Sequence, residues 1–193
     1  MPARAIGGNG NTLEVNIVTK LVWMVIAAGV VAGSGAPVRS EVSTLKVTYS
    51  AVEGIGAEQG VMRRDPSDII KVKGLYYVWY SKGKIASGYD ATVWYASSPD
   101  GLKWTEKGLA LAKGEAGGWD SASVFTPNIL VAEGRYWLFY TGTSKAYGKG
   151  FNPDSKIGIA VANLPEGPWE RLASNPALKN SDKQDDFDSH LVD

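Results

Sequence analysis

The chain has 193 residues, enough for one domain of ordinary size, and its 20 basic residues are balanced by 20 acidic ones. With no Lys/Arg cluster there is no basic face to release counterions, which excludes a nucleic-acid partner, and the absence of cysteine excludes disulfide frameworks and cysteine-bound metals. Seven Trp, nine Tyr and 23 Gly point to aromatic strands cut by glycine turns, an all-β composition whose exposed rings are good platforms for sugar faces.

Lys20 precedes the apolar run LVWMVIAAGVVAG, which gives way to Ser34-Gly35-Ala36. A positive charge, a short hydrophobic stretch and small residues at the cleavage positions predict an export signal over residues 1–36, cut after Ala36. The run is too short for a comfortable membrane span, which needs about 20 apolar residues. The competing readings are an N-terminal anchor and a buried segment. An exported protein without cysteine is expected in a bacterial periplasm or outside the cell, with no membrane attachment once the signal is removed.

Residues 37–57 lead into the main domain, expected over residues 58–193. Segments 68–72 (DIIKV), 75–81 (LYYVWYS) and 91–97 (ATVWYAS) carry β-branched and aromatic residues and are broken by Gly74 and by KGKIASGYD. The Pro-Asp-Gly turn in SSPDGLKW leads into an edge strand at Trp104. No stretch of this domain keeps a helical period over two or three turns.

The pattern then recurs. NILVAEGRYWLFYTG repeats DIIKVKGLYYVWYSK, with Gly134 and Tyr136 each 60 residues after Gly74 and Tyr76, and Glu166 and Trp169 follow Asp100 and Trp104 by 66 and 65 residues. A period of about four short strands predicts the blades of a β-propeller, with a β-sandwich as the alternative. Propellers have at least four blades, so the two repeats and the start of a third are read as two to three blades of an incomplete ring.

Aligned on this period, Asp65-Pro66 matches Thr126-Pro127, and a third equivalent falls within residues 188–193 (DSHLVD). A residue before proline is expected to be extended, and residues at the entry of innermost strands can converge on one channel mouth. Asp65 otherwise reads as a turn-capping carboxylate. Asp68 is expected to cap the turn or pair with Arg63. His190 is the one histidine, a structural residue unless its aspartate neighbours give it a substrate role. Trp94 and Trp119 are candidates for stacking on a sugar, whereas Trp104 and Trp169, at equivalent positions, are assigned to packing. The glycine-rich GNGNT and YGKGF lack the context of a phosphate loop.

Taken together, EQGVMRRDPSDIIKVKGLYYVWYSK, ATVWYASSPDGLKWTEKG, SVFTPNIL and DFDSHLVD resemble the five-bladed propeller glycoside hydrolases over residues 58–193. The likeness is to family 117, the exo-acting α-1,3-neoagarooligosaccharide hydrolases, within the wider clan of family 43. The resemblance implies an inverting hydrolase with Asp65 as general base and Asp193 as the carboxylate that tunes the acid or holds the substrate. It implies a general acid further along than residue 193, and therefore an inactive 193-residue chain. Arg64, Trp94, Thr126, Asp188 and His190 are the implied substrate contacts. Asn128 departs from the acidic residue often found in relatives after FTP. No cofactor is expected to be required and no metal site from this chain alone, although members of family 117 hold a divalent cation near the site.

The expected partner is an oligosaccharide or polysaccharide of the agar or galactan type, with a homodimer as a further possibility. An arabinan- or xylan-directed enzyme and a non-catalytic carbohydrate-binding propeller are the alternatives. In an inverting site the two carboxyl groups stand about 6.5–9.5 Å apart, leaving room for the attacking water. A positive neighbour, Arg64, suits a base that works ionised.

Overall fold

The computed structural model describes residues 12–16, 44–84, 89–145, 154–181, 183 and 186. Within residues 1–51, one compact unit, strands β1 (Thr12–Asn16) and β2 (Thr44–Thr48) pair antiparallel with Thr12 opposite Thr48. β1 falls in the segment read as an export signal; the apolar run itself lies outside the described residues.

The second unit spans Val52–Asp193 and holds two antiparallel sheets. The first contains β3 (Val61–Arg64), β4 (Ile70–Val72), β5 (Leu75–Lys84), β6 (Ala91–Ser98) and β7 (Thr105–Leu111). β3 and β4 are two pieces of one inner strand, both paired to β5, and the order runs outward through β6 to β7. The second sheet repeats this order with β8 (Ser123–Ala132), β9 (Arg135–Thr143), β10 (Lys156–Ala162) and β11 (Glu170–Arg171), while β12 (Leu178–Lys179) also pairs with β10. No helix occurs among the described residues.

The predicted repeat is visible in the turns. Lys73-Gly74 and Glu133-Gly134 all have positive φ, between 48° and 90°. Two such residues between Val72 opposite Leu75, or Ala132 opposite Arg135, make the mirror-image two-residue turn that matches strand twist. These are propeller blades, each with a broken or bulged inner strand. The third repeat, residues 188–193, lies outside the described residues.

Alternation along β5 splits its side chains between two cores. Tyr77 and Trp79 face the second blade and pack with Val93, Leu111, Val124, Leu138 and Tyr140. Trp79 has no exposed surface, and Trp169 meets it edge-on at 5.9 Å between ring centres. Val78 and Tyr80 face the other way, onto Ala96, Trp104, Trp94 and Ile55. Trp104 and Trp169 are therefore packing residues, as their repeat-equivalent positions suggested. Burying each such large side chain contributes about 1.5–3 kcal/mol, so the seam between blades is the main apolar support of the site above it.

Candidate active site

The inner strand of each blade is interrupted at the aligned X-Pro pair. In the first blade Arg64 lies opposite Ser81 and Ile70 opposite Tyr77, so five residues (65–69) face three. Ser67 bridges this gap: its amide donates to Trp79 O at 2.8 Å, and Trp79 N donates to its hydroxyl at 3.1 Å. In the second blade the register shifts between Phe125, opposite Thr141, and Asn128, opposite Phe139. Such bulges re-aim side chains out of the ladder.

Both residues before proline have left-handed backbone, Asp65 at φ 51° and Thr126 at φ 45°. The extended conformation expected from the proline is thus not adopted. Ladder bonds on either side fix the bulge and impose a conformation that costs of order 1–3 kcal/mol in a residue with a side chain. Thr126 N donates across the seam to Ser81 Oγ at 2.8 Å, so the strained turn of one blade is held by the other.

The two bulges open onto one cavity of about 370 Å3. Asp65, Ser67 and Asp68 line it from the first blade; Thr126, Pro127 and Asn128 line it from the second; Tyr89 closes the wall between them. Asp65 is three-quarters buried, and its Oδ2 is fully buried yet accepts no hydrogen bond among the described residues. Arg64 Nε lies 3.2 Å from that oxygen as an ion pair, but off the hydrogen-bonding line. Most buried polar atoms are satisfied; the Asp65 carboxylate, which lines the cavity, accepts from Arg64 Nε at 3.4 Å through Oδ1 and leaves Oδ2 without a hydrogen bond.

Thr126 is different. Its hydroxyl donates to Phe125 O at 2.9 Å and lies 2.7 Å from Thr141 Oγ1, so its polar capacity is spent within the fold. Asn128 Oδ1 accepts from Ile129 N at 2.7 Å. Asp68 lines the cavity and does not pair with Arg63, correcting the sequence-based expectation. Arg63 points to the opposite face of its strand, where Nη2 meets Glu58 at 2.7 Å and Nε meets Glu106 at 3.1 Å.

Glu106 also accepts from Tyr80 at 2.7 Å and Lys82 at 2.5 Å. Burial works to raise its carboxyl, but the bonds from Lys82, Tyr80 and Arg63 outweigh it and hold the group down at about 2. The small Ala96 opposite Glu106 leaves room for that side chain to reach back to β5 and β3. This network ties the strand entering the Asp65 bulge to the blade's outer strand.

Arg64 lies with its guanidinium 4.2 Å from the Tyr89 ring centre, and Tyr89 in turn tilts against Phe125 at 4.7 Å. Tyr89 O also accepts from Ser123 Oγ. Sequence reasoning missed this residue by assigning KGKIASGYD to a turn. The signal available was a tyrosine directly after glycine in that segment.

Trp94 is not brought to this cavity. It lines a separate depression with Lys82 and Lys113, has Lys82 Nζ 3.9 Å above its ring, and donates from Nε1 to Thr92 at 2.9 Å. Trp119 stacks on Tyr140 at 5.7 Å between ring centres, and a Cβ at Gly142 would lie 2.5 Å from its ring. Trp119 is thereby assigned to packing. It adjoins Asp120, which accepts from Tyr140 at 3.0 Å and Arg171 at 2.8 Å.

Asp188, His190 and Asp193 lie outside the described residues. Among the described residues no three His, Asp or Glu side chains come together to hold a metal ion, so these alone do not fit the divalent cation of the family resemblance.

The model of the family described as Glycosyl hydrolases family 43 matches residues 64–193. Among solved structures, the chain is similar to Zg3597, a family 117 glycoside hydrolase produced by the marine bacterium Zobellia galactanivorans. Identity is 28%, the TM-score is 0.64, and the match covers 74% of this chain and 47% of that one. A thermostable family-43 glycoside hydrolase matches at 24% identity and a TM-score of 0.50, covering 65% and 41%, and speaks for the fold alone. The chain spans less than half the length of each of these two structures. No curated protein matches it. With its two blades bulged at Asp65 and Thr126 and more than half of its length matched by the family model, the chain belongs to glycosyl hydrolases family 43.

Proposed function

We propose that the protein is an exo-acting, inverting glycoside hydrolase directed at agar-type galactan oligosaccharides, with Asp65 as its general base. The observation that carries this reading is the buried, unsatisfied Oδ2 of Asp65 at the wall of the cavity between the blades. A water held by the Asp65 carboxylate is activated as it attacks the anomeric carbon on the face opposite the leaving group. Its proton passes to Asp65, the glycosidic C–O bond breaks, and the departing oxygen takes a proton from a separate acid.

Arg64 pairs with Asp65 at 3.2 Å, and Thr126 forms the facing wall of the sugar cavity. Asp188, His190 and Asp193 complete the proposed substrate contacts, with Asp193 tuning the acid. The resemblance of the sequence to family 117 supports the agar-type substrate, and a family 117 glycoside hydrolase is among the similar solved structures. The apolar run after Lys20 supports export to the periplasm or the exterior.

Proton NMR of the freshly released sugar tests the reading, using the protein with all the sequence its gene encodes. The expected result is release of a terminal sugar from agar-derived oligosaccharides, first as the anomer opposite to that of the substrate. Release with retained configuration would contradict the role of Asp65, and turnover confined to arabinan or xylan oligosaccharides would contradict the substrate.

A further inference from the structure

A second depression lies at the other end of the inner strands. From Arg64, opposite Ser81, to Val72, opposite Leu75, the ladder advances six positions along β5, roughly 20 Å of strand, and reaches the Lys73-Gly74 turn. There a groove of about 670 Å3 runs between the blades, walled by Val72, Leu75 and Tyr77 on one side and by Tyr136, Leu164 and Glu166 on the other. Tyr136 is only half buried, and Leu75 and Leu164 are 39% and 54% exposed at its rim.

The polar groups of this groove differ from those of its repeat partner. In the first blade the turn carboxylate, Asp100, is consumed locally: its Oδ1 accepts from Leu102 N and Lys103 N, both at 2.8 Å, and from Ser98 at 3.0 Å. Glu166, the equivalent in the second blade, instead reaches across the seam and accepts from the Tyr77 hydroxyl at 2.6 Å. That bond fixes the carboxylate through one oxygen. Its other oxygen, the Asn163 amide and the Lys73 ammonium make no hydrogen bond among the described residues. An aromatic face beside a fixed carboxylate and an amide matches a pyranose, which offers apolar C–H faces and vicinal hydroxyls.

We propose that this basal groove is a second, non-catalytic carbohydrate site that holds a neutral galactan-type glycosyl residue, with Tyr136 as its stacking face and Glu166 as its hydroxyl acceptor. The choice of sugar rests on the proposed function; the site itself does not.

Hydrogen–deuterium exchange with a mixture of agar-derived oligosaccharides as probe reads the two ends separately. Exchange is expected to slow at residues 73–77 and 163–167. Glu166→Gln should weaken that protection about tenfold in sugar concentration, and Tyr136→Ala should abolish it, while turnover in Glu166→Gln stays at the parent level. Because Tyr136 also packs on the core, Glu166→Gln and Lys73→Ala carry the test if Tyr136→Ala fails to fold. Slowing only around residues 64–68 and 126–128 would overturn this site and leave the catalytic reading standing. Slowing only at the basal groove would support this site and count against the catalytic one. Unchanged basal protection in Glu166→Gln would also overturn it.

Discussion

The two bulges share a backbone and differ in chemistry. Asp65 and Thr126 stand at matching positions, both before proline, both with left-handed φ, both at the wall of one cavity. Thr126 spends its hydroxyl on Thr141 and the Phe125 carbonyl, whereas Asp65 keeps a buried oxygen without a hydrogen bond. One copy of the repeat has thus kept the strained turn as structure, and the other has used it to present a charge. The turn carboxylates diverge likewise at the far end, with Asp100 closed on itself and Glu166 reaching across the seam. Duplicated backbone supplies position; the side chain decides whether position becomes function.

If the seam between blades supports both bulges equally, breaking it should disturb both copies. Trp79→Ala removes the fully buried ring at its centre and should cost about 3–5 kcal/mol in denaturant unfolding. Asp120→Ala strands Arg171 and the Tyr140 hydroxyl beside the second blade and should cost about 3 kcal/mol by the same measurement.

The first blade alone carries the Glu106 network, so acid should separate the copies. The folded Glu106 carboxyl sits at about 2 against an ordinary 4.5. Its contribution, roughly 2–3 kcal/mol, is therefore present above pH 4.5 and is lost as pH falls toward 2. Glu106→Gln should flatten the stability–pH curve over that window. A curve of unchanged slope would show that the network does not hold the strand at Asp65. The smallest effect is expected from Thr126→Val, which removes a satisfied hydroxyl: about 1 kcal/mol of stability and turnover within a few-fold of the parent.

Much of this was legible in the sequence because it depends on local patterning. The 60-residue offset between Gly74 and Gly134 reflects turns that require positive φ, and the unbroken apolar and aromatic run in LYYVWYS reflects a strand buried on both faces. The Asp65–Thr126 pairing followed from the repeat. What stayed hidden depends on strand direction and long-range contact. A pair with Arg63, one of the two roles expected of Asp68, rests on nearness in sequence, whereas Arg63 meets Glu106, 43 residues away. The left-handed backbone at Asp65 ran against the proline preference because tertiary ladder bonds override it. Tyr89 and Trp119 carried no signal that separates a site wall from a packing ring.

The central claim is that Asp65, and not its repeat partner, does chemistry. Steady-state turnover of agar-derived oligosaccharides by Asp65→Asn in the protein with all the sequence its gene encodes, with circular dichroism to establish folding, tests it most directly. The account predicts a kcat lower by about 10²–10⁴-fold with native stability retained, against the few-fold effect at Thr126. A folded Asp65→Asn protein with kcat near the parent value would contradict it.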